Sequence, residues 1–306
     1  MLTAFTWGYN RRMQFLIAAA IAILYGLVEG ITEWLPISST GHMILLSAIP
    51  GLDLAQRESE AFFSLFLVVI QLGAILAICV YFFKPLVPFF HPAGSARKSV
   101  WMDWLKIVVG CLPAGVCGVA LKLFDGVDAA LNSPYVIGSM LALYGVAFIV
   151  CERLLKRRES KLQASGASHF RYATIEEIPL LTCFYIGLIQ ILSLIPGTSR
   201  SGVTILAALL LAVTRPAAAR FSFYLSIPIM LGASIVEGAG FFMDGNTVSA
   251  TGWTYIGVGI LSAFIVSLLV VKLLLRFIEK HTFEGFGYYR ILAGALVLGL
   301  AAGGVM

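Results

Sequence analysis

The chain has 306 residues, of which 59% are hydrophobic and only 12% are charged. A mean hydropathy of +0.94 exceeds what a soluble domain of this size needs, so we expect a polytopic membrane protein. The net charge of +5 is small, which argues against a surface that binds nucleic acid. The five cysteines lie in apolar stretches without CxxC spacing, so we expect packing residues and neither a disulfide framework nor a metal site.

Six apolar runs are each predicted to be a transmembrane helix. They comprise residues 61–83, 104–122, 134–151, 221–243, 253–275 and 288–306. Each is close to the roughly 20 helical residues that cover about 30 Å of hydrocarbon.

Two further apolar regions are interrupted by proline. They are 14–35 and 37–49, separated by Pro36, and 177–195 and 197–213, separated by Pro196 and Gly197. Because proline ends or kinks a helix, each region is predicted to form two helices folded back on each other as a re-entrant hairpin.

The distribution of positive charge predicts the orientation of the chain. Most lysines and arginines lie in four connecting segments, which are 84–103, 152–176, 214–220 and 276–290. The remaining connections between predicted spans hold only Arg57 and Lys122. The basic segments are therefore expected on the cytoplasmic side, with both termini outside.

With this orientation the first hairpin opens to the outside and the second to the cytoplasm, so the two halves are expected to be inverted copies. Pro36 and Ser39 match Pro196 and Ser199 at an offset of 160, a weak internal echo of that repeat. The predicted fold is an all-α polytopic membrane protein with six transmembrane helices and two re-entrant helical hairpins arranged as an inverted repeat.

The chain is expected to form one integral-membrane domain over residues 1–306. Its predicted parts are a first half at 13–151, a cytoplasmic linker at 152–176 and a second half at 177–306.

Glu29 and Glu33 are four residues apart in apolar sequence, so on a helix they face the same side. A charged side chain at bilayer depth costs about 2.5–3.5 kcal/mol on insertion scales, which indicates a function. The two carboxylates suit a hard metal ion or general-base catalysis, and they also suit simple pairing with a cation. Gly26 and Gly30 are predicted to let a neighbouring helix approach closely.

The first break is followed by a polar run of Ser38, Ser39, Thr40, Gly41 and His42. Backbone N–H groups at a helix start are unpaired and attract anions, and capping accounts for only one of the three hydroxyl groups. His42 lies three residues after Ser39, a candidate nucleophile, so we expect the imidazole to transfer protons.

The second break is followed by Thr198, Ser199, Arg200, Ser201 and Gly202. A guanidinium group between two hydroxyl groups at a helix start is suited to hold a phosphate. Arg200 is alternatively the counter-ion of Glu29 or Glu33. Carboxylates, a hydroxyl, an imidazole and a guanidinium at one depth indicate phosphoryl transfer.

Two sequences carry a family resemblance: 29–42 (Glu-Gly-Ile-Thr-Glu-Trp-Leu-Pro-Ile-Ser-Ser-Thr-Gly-His) and 196–202 (Pro-Gly-Thr-Ser-Arg-Ser-Gly). They resemble the two signature motifs of the bacterial undecaprenyl-diphosphate phosphatases, the bacitracin-resistance family. The likeness covers nearly the whole chain in length and span pattern. It implies hydrolysis of undecaprenyl diphosphate to undecaprenyl phosphate and inorganic phosphate, which recycles the lipid carrier of peptidoglycan synthesis and confers bacitracin resistance.

The resemblance also implies roles for individual residues. Glu29 and Glu33 would assist catalysis and bind a divalent cation, Mg²⁺ or Ca²⁺. Ser39 and His42 would supply attack and proton transfer, with Ser39, His42 and water all left open as the group that attacks phosphorus. The residues implied to hold the diphosphate are Thr40, Ser199, Arg200 and Ser201.

By the same resemblance, the protein is expected in the bacterial inner membrane with its site opening to the outer, periplasmic face. Its expected partners are the polyprenyl diphosphate and the bilayer, and a homodimer is left open. The main alternative is a secondary transporter or lipid flippase, because inverted repeats with broken helices are transporter architecture. The other membrane lipid-phosphatase superfamily is excluded, since its motif needs a histidine and residues 203–220 hold none.

Overall fold

The computed structural model describes residues 2–55, 57–121, 130–163 and 166–306. Within these ranges the regular structure is helical, apart from one isolated bridge between Tyr172 and Val213. The α-helices are α1 (Leu2–Thr32), α2 (Ser39–Ser47), α3 (Glu60–Tyr81), α4 (Phe83–Leu86), α5 (Ser95–Leu121), α6 (Pro134–Gln163), α7 (Leu180–Gln190), α8 (Arg200–Leu210), α9 (Arg215–Met243), α10 (Ala250–Ile278) and α11 (Glu284–Ala302).

Seven of the described helices are long and apolar enough to cross a bilayer, and the chain is a multi-pass membrane protein. Six of them, α3, α5, α6, α9, α10 and α11, coincide with the predicted spans, although the predicted end of the second span at Lys122 lies outside the described residues. The seventh is α1, whose apolar part covers Arg12–Thr32. The first arm of the first hairpin, expected at 14–35, begins earlier than predicted, because no proline precedes Pro36 to set an N-terminal limit on the helix.

Both proline breaks interrupt helices as predicted. Helix α1 ends at Thr32 and α2 begins at Ser39. Helix α7 continues as a 3₁₀ turn over Ile191–Leu194, and α8 begins at Arg200. Residues 33–38 therefore form a turn between α1 and α2, called the first turn, and residues 195–199 form a second turn before α8.

The two ends of the α7–α8 segment lie together. The backbone N–H groups of Arg171 and Tyr172 donate to the carbonyl of Ala212 at 2.8 and 3.2 Å, and Thr214 N–H donates to the carbonyl of Tyr172 at 2.9 Å. The chain therefore enters and leaves this segment at the same place, beside the start of α9.

The two ends of the α1–α2 segment also lie together, at a different place. Ala18 on α1 and Leu54 after α2 share one buried apolar cluster with Phe62 and Tyr255, which lie near the starts of α3 and α10. The basic segments, in contrast, adjoin the C-terminal ends of α3, α6 and α10. The two interrupted segments thus open at opposite ends of the long helices.

Glycines allow the first helix of each interrupted segment to pack against a long helix. Gly26 and Gly30 lie against α10, at Gly259 and Ala263, which confirms the predicted close approach. In the second half, Gly187 on α7 lies directly against Gly110 on α5. Helix α3 also packs on α9, and α6 packs on α11.

We expect Gly26→Leu to destabilise the protein strongly, because a Cβ atom there would overlap the carbonyl of Gly259. Overpacking of this kind should lower the free energy of unfolding by about 2 kcal/mol or more. The measurement is the Tm of the protein in detergent. Gly257→Leu is the matched control, since a Cβ atom at Gly257 has no neighbour within 4 Å. Equal Tm values for the two variants would contradict the role assigned to Gly26.

The expected linker at 152–176 begins later than predicted, because α6 continues to Gln163. Glu152 explains the extension: it is 2% exposed and accepts bonds from Arg215 Nε at 3.0 Å and from Phe283 N–H at 2.9 Å. A buried carboxylate with these partners anchors the helix where the charge pattern predicted a loop.

Candidate active site

The last residue of each turn has the same unusual backbone conformation. Ser38 and Ser199, the residues before α2 and α8, have φ values of 72° and 70°. Non-glycine residues rarely adopt this region, which marks both turns as strained and structurally fixed. The match of Ser39 with Ser199 is therefore wrong by one residue: Ser38 is the equivalent of Ser199, and Ser39 is the equivalent of Arg200.

Glu33 connects the two turns. Its Oε2 accepts a hydrogen bond from Ser39 Oγ at 2.7 Å, and its Oε1 accepts one from Arg200 Nη2 at 2.9 Å. The Glu33 and Arg200 side chains are both only 10% exposed. A carboxylate from the first half thus contacts the guanidinium of the second half in a site that is largely closed to solvent.

Arg200 is held by further contacts. Its Nη1 donates to the carbonyl of Ser222 at 2.6 Å, and its guanidinium lies 5.9 Å from the ring centre of Trp34. Its Nε is buried and has no hydrogen-bond partner among the described residues. The guanidinium is therefore fixed in place while its Nε donor stays unpaired.

The serines around Arg200 have separate roles in the turns. Ser201 Oγ is buried and donates to the carbonyl of Glu33 at 3.2 Å, a second link between the halves. Ser199 Oγ accepts from Gly202 N–H at 3.1 Å and caps α8. These bonds place Ser199, Ser201 and Gly202 at one helix start with Arg200.

Glu29 lies one helical turn before Glu33 and is only 1% exposed. Its Oε1 has no hydrogen-bond partner within the described ranges. The Glu29 carboxylate is close enough to interact electrostatically with Glu33 and Arg200. An unpaired buried carboxylate oxygen is expensive unless a proton or cation joins it.

The imidazole of His42 is oriented by two groups, and neither is Ser39. Its Nδ1 donates to the carbonyl of Ser38 at 2.7 Å, which leaves Nε2 of the neutral ring to accept from the Tyr289 hydroxyl at 2.7 Å. The Tyr289 ring stacks on the imidazole with centroids 5.6 Å apart. In this geometry the Ser39 hydroxyl is bonded to Glu33 and not to His42.

Three other expected site residues differ in accessibility. Thr40 is exposed, whereas Thr198 is fully buried, and its Oγ1 has no partner within the described chain. Gly41 is buried against Leu141, where a Cβ atom would lie 2.7 Å from the leucine Cδ1. Thr198 and Gly41 therefore line the turns from behind, and Thr40 lies on the accessible side.

Tyr289 and Arg290 on α11 were not identified from the sequence. Arg290 was expected in a basic loop, but it is fully buried and donates to the backbone of both turns. The only signal available was its position at the edge of an apolar run, which charge counting assigned to topology. Its contacts with both turns became visible only in the folded structure.

The site suits a divalent cation in a limited way. Mg²⁺ is usually bound by one or two carboxylates together with substrate phosphate oxygens. The unpartnered Oε1 of Glu29 fits that donor set, whereas both oxygens of Glu33 are already bonded to Ser39 and Arg200. Across the described residues no group of three or more His, Cys, Asp or Glu side chains forms a closed metal site.

One family model and several curated relatives each match most of the chain. A family model described as bacitracin resistance protein BacA matches residues 22–296. This range includes both turns, Tyr289 and Arg290.

Several curated relatives cover nearly the whole chain. A protein of Enterococcus faecalis named undecaprenyl-diphosphatase is 46% identical over 284 residues, which are 92% of this chain and 96% of that protein. One of Streptococcus thermophilus with the same name is 43% identical over 287 residues, 93% of this chain and 94% of that protein. A third, from Latilactobacillus sakei, is 43% identical over 279 residues, 91% of this chain and 96% of that protein.

Proposed function

Since this chain belongs to the bacitracin resistance protein BacA family, we infer that it hydrolyses undecaprenyl diphosphate to undecaprenyl phosphate and inorganic phosphate. This reaction recycles the lipid carrier of peptidoglycan synthesis. It also confers bacitracin resistance, a property of the family.

One observation carries the assignment of the reaction to this site: Glu33 bonds at once to a hydroxyl and to a guanidinium. The 2.7 Å bond from Ser39 Oγ makes Glu33 a suitable base, and the 2.9 Å bond to Arg200 places a positive charge beside it. A nucleophile, a base and a cation within one contact network are what transfer of a phosphoryl group requires.

We assign the attack on phosphorus to Ser39. Glu33 takes the hydroxyl proton, a bond forms between Ser39 Oγ and the terminal phosphorus, and the bridging P–O bond breaks to release undecaprenyl phosphate. Glu33 then gives this proton up to solvent and is a carboxylate again. Water attacks the phosphorus of the phosphoserine while Glu33 takes a proton from that water; the Oγ–P bond breaks, inorganic phosphate leaves, and Glu33 returns the proton to Ser39 Oγ. The two steps consume one water molecule in total.

His42 is assigned to proton transfer at the leaving oxygen. Its ring is held between the Ser38 carbonyl and the Tyr289 hydroxyl, both at 2.7 Å, so its orientation is fixed before the substrate binds. The Tyr289 hydroxyl donates to Nε2, so a proton can pass from Tyr289 through Nε2 to the leaving oxygen, and Tyr289 recovers a proton from solvent.

The diphosphate is assigned to the two helix starts. Helices α2 and α8 begin at Ser39 and Arg200, and their first N–H groups have no intrahelical acceptor. Apart from the Gly202 N–H, which donates to Ser199 Oγ, these groups and the guanidinium of Arg200 attract an anion. The exposed Thr40 hydroxyl lies in the first turn of α2.

An apolar groove between α5 and α9 suits the polyprenyl tail. It has a volume of about 320 Å³ and is lined by residues such as Val119, Ile229 and Val236. Ile229 adjoins Met230, whose Sδ lies 3.6 Å from Arg200 Nη2, so the groove begins near the site.

The membrane arrangement that we assign is an inverted repeat of six spanning helices and two re-entrant hairpins, halves 13–151 and 177–306. Three facts support it: the two interrupted segments open at opposite ends of the long helices, α1 packs on α10 as α7 packs on α5, and both turns have a serine at positive φ. Gly30 contacts α10 at Ser267, about 16 Å before the helix ends, so α1 stops near mid-depth. Since the basic helix ends belong on the cytoplasmic side, the first hairpin and its site open to the periplasmic face of the inner membrane.

A divalent cation, Mg²⁺ or Ca²⁺, is assigned to Glu29 together with the diphosphate. When bound, it would neutralise charge on the phosphate oxygens. We expect Glu29→Gln to raise the Mg²⁺ or Ca²⁺ concentration needed for half-maximal activity about tenfold or more, since a neutral amide is a weaker ligand than a carboxylate. The measurement is phosphate release from chelator-treated enzyme titrated with each cation, with the exposed Glu60→Gln as control. An unchanged titration in Glu29→Gln would remove Glu29 from the cation site.

The assay that tests the function is release of inorganic phosphate from a polyprenyl diphosphate by the purified protein in detergent. Detergent micelles contain no separate compartments, so a transporter or flippase would give no product. Wild-type protein should release phosphate, and Ser39→Ala should not. Absence of phosphate from the folded wild-type protein would refute the proposed function.

A further inference from the structure

Arg290 contacts the backbone of both turns from one guanidinium group. Its Nη1 donates to the carbonyl of Pro36 at 3.0 Å, and its Nη2 donates to the carbonyls of Gly197 and Thr198 at 2.9 and 3.0 Å. Its Nε reaches the carbonyl of Leu141 at 3.4 Å. The side chain is fully buried, so α11 ties the first turn to the second through a single residue.

The charge of Arg290 has no carboxylate partner within the part of the chain that the structure describes. Its contacts are backbone carbonyls and the ring of Tyr144, whose centre lies 5.7 Å away. Burial of a guanidinium without a counter-ion is expensive, and only good hydrogen bonds offset it. The planar fork of arginine supplies several donors in fixed directions, which one lysine amine does not.

These bonds determine which way the second turn faces. A trans peptide places its C=O and N–H on opposite sides, so a Thr198 carbonyl directed at Arg290 directs the Ser199 N–H away from it. That N–H has no acceptor among the described residues. Ser199 also has φ 70°, a conformation that persists only where surrounding contacts impose it.

We propose that Arg290 is a positioning residue for the phosphatase reaction: by holding carbonyls of both turns it fixes their backbone, and in the second turn it directs the unpaired Ser199 N–H toward the diphosphate. The N–H groups of Ile37 and Thr198, opposite the other two carbonyls, are bonded within the turns to the carbonyls of Leu35 and Ile195. The residue touches neither Glu33 nor Ser39 and acts through the turns that precede α2 and α8. The kinetic part of this proposal rests on the proposed function, whereas the link between the two turns does not.

The test uses Arg290→Met and Arg290→Lys, with Arg276→Met and Arg276→Lys as matched controls on the exposed end of α10. Misaligned turns should lower kcat about 100-fold in Arg290→Met, while KM changes by less than about threefold, because alignment acts mainly on the transition state. Arg290→Lys should retain part of the lost kcat, since an amine reaches some of the carbonyls.

Hydrogen–deuterium exchange gives a readout independent of activity. Peptides spanning both turns should exchange about tenfold faster in the Arg290 variants, with the C-terminal half of α11 unchanged. If Arg290→Met fails to fold, Arg290→Lys decides the outcome by the same two measurements.

Two results would overturn the proposal: a kcat within about threefold of wild type, or a lost kcat with unchanged exchange at both turns. If the wild-type protein itself releases no phosphate, the proposed function fails. The exchange data then still decide whether Arg290 holds the turns.

Discussion

Arg200→Ala should lower kcat/KM for phosphate release by about 1,000-fold or more, the loss typical of an arginine that stabilises a transferring phosphoryl group. The guanidinium is fixed by Glu33, by the Ser222 carbonyl and by the Trp34 ring, so its charge needs no rearrangement during the reaction. Arg200→Lys should remain strongly impaired, because the three donors of an ammonium group radiate from one nitrogen and do not reproduce the planar, spaced donors with which Nη2 and Nη1 reach Glu33 and the Ser222 carbonyl.

The control for this prediction is Arg276→Ala, which removes an exposed arginine from the basic end of α10 and should retain wild-type activity. Both variants should be monodisperse in detergent, which separates loss of catalysis from loss of fold. Arg200 would be excluded from the reaction if Arg200→Ala, folded and compared at saturating substrate, kept kcat within about threefold of wild type.

The helical parts of the fold followed from the sequence because apolar length and proline are local signals. Six predicted spans coincide with long helices, and both proline breaks occur where expected. The length of α1 and the extension of α6 to Gln163 were not predicted. The first arises because α1 continues before Arg12, outside its apolar part, where hydropathy gives no signal. The second depends on Glu152, whose partners Arg215 and Phe283 are distant in the chain.

The site residues at the two turns were also local in sequence, since each motif is a short stretch of polar residues next to a proline in apolar sequence. The sequence did not predict which hydrogen bonds these side chains form. Ser39 bonds to Glu33 and not to His42, whose ring is held by Tyr289, 247 positions away. Arg290 was misassigned for the same reason, because a buried cation satisfied by carbonyls leaves no mark in composition or spacing.

Glu33→Gln should lower phosphate release about as much as Arg200→Ala does, because the substitution removes both the base that contacts Ser39 and the counter-ion of Arg200. Removing one partner of a largely buried pair leaves the other charge unpaired, which typically destabilises by about 3–5 kcal/mol when burial is complete. The pair here is 10% exposed on each side, so we expect a smaller loss and a clear drop in Tm. Glu60→Gln, an exposed change of the same chemistry, should leave both activity and Tm unchanged.

The double variant Glu33→Gln/Arg200→Met distinguishes a joint role from two independent ones. Because the two side chains share one contact at 2.9 Å, the second substitution should add little to the loss of kcat and should restore part of the Tm lost in Glu33→Gln. Independent roles would instead multiply the two kinetic losses. A multiplied loss, or a Glu33→Gln variant with wild-type kcat, would show that Glu33 and Arg200 do not form one reaction centre across the two halves.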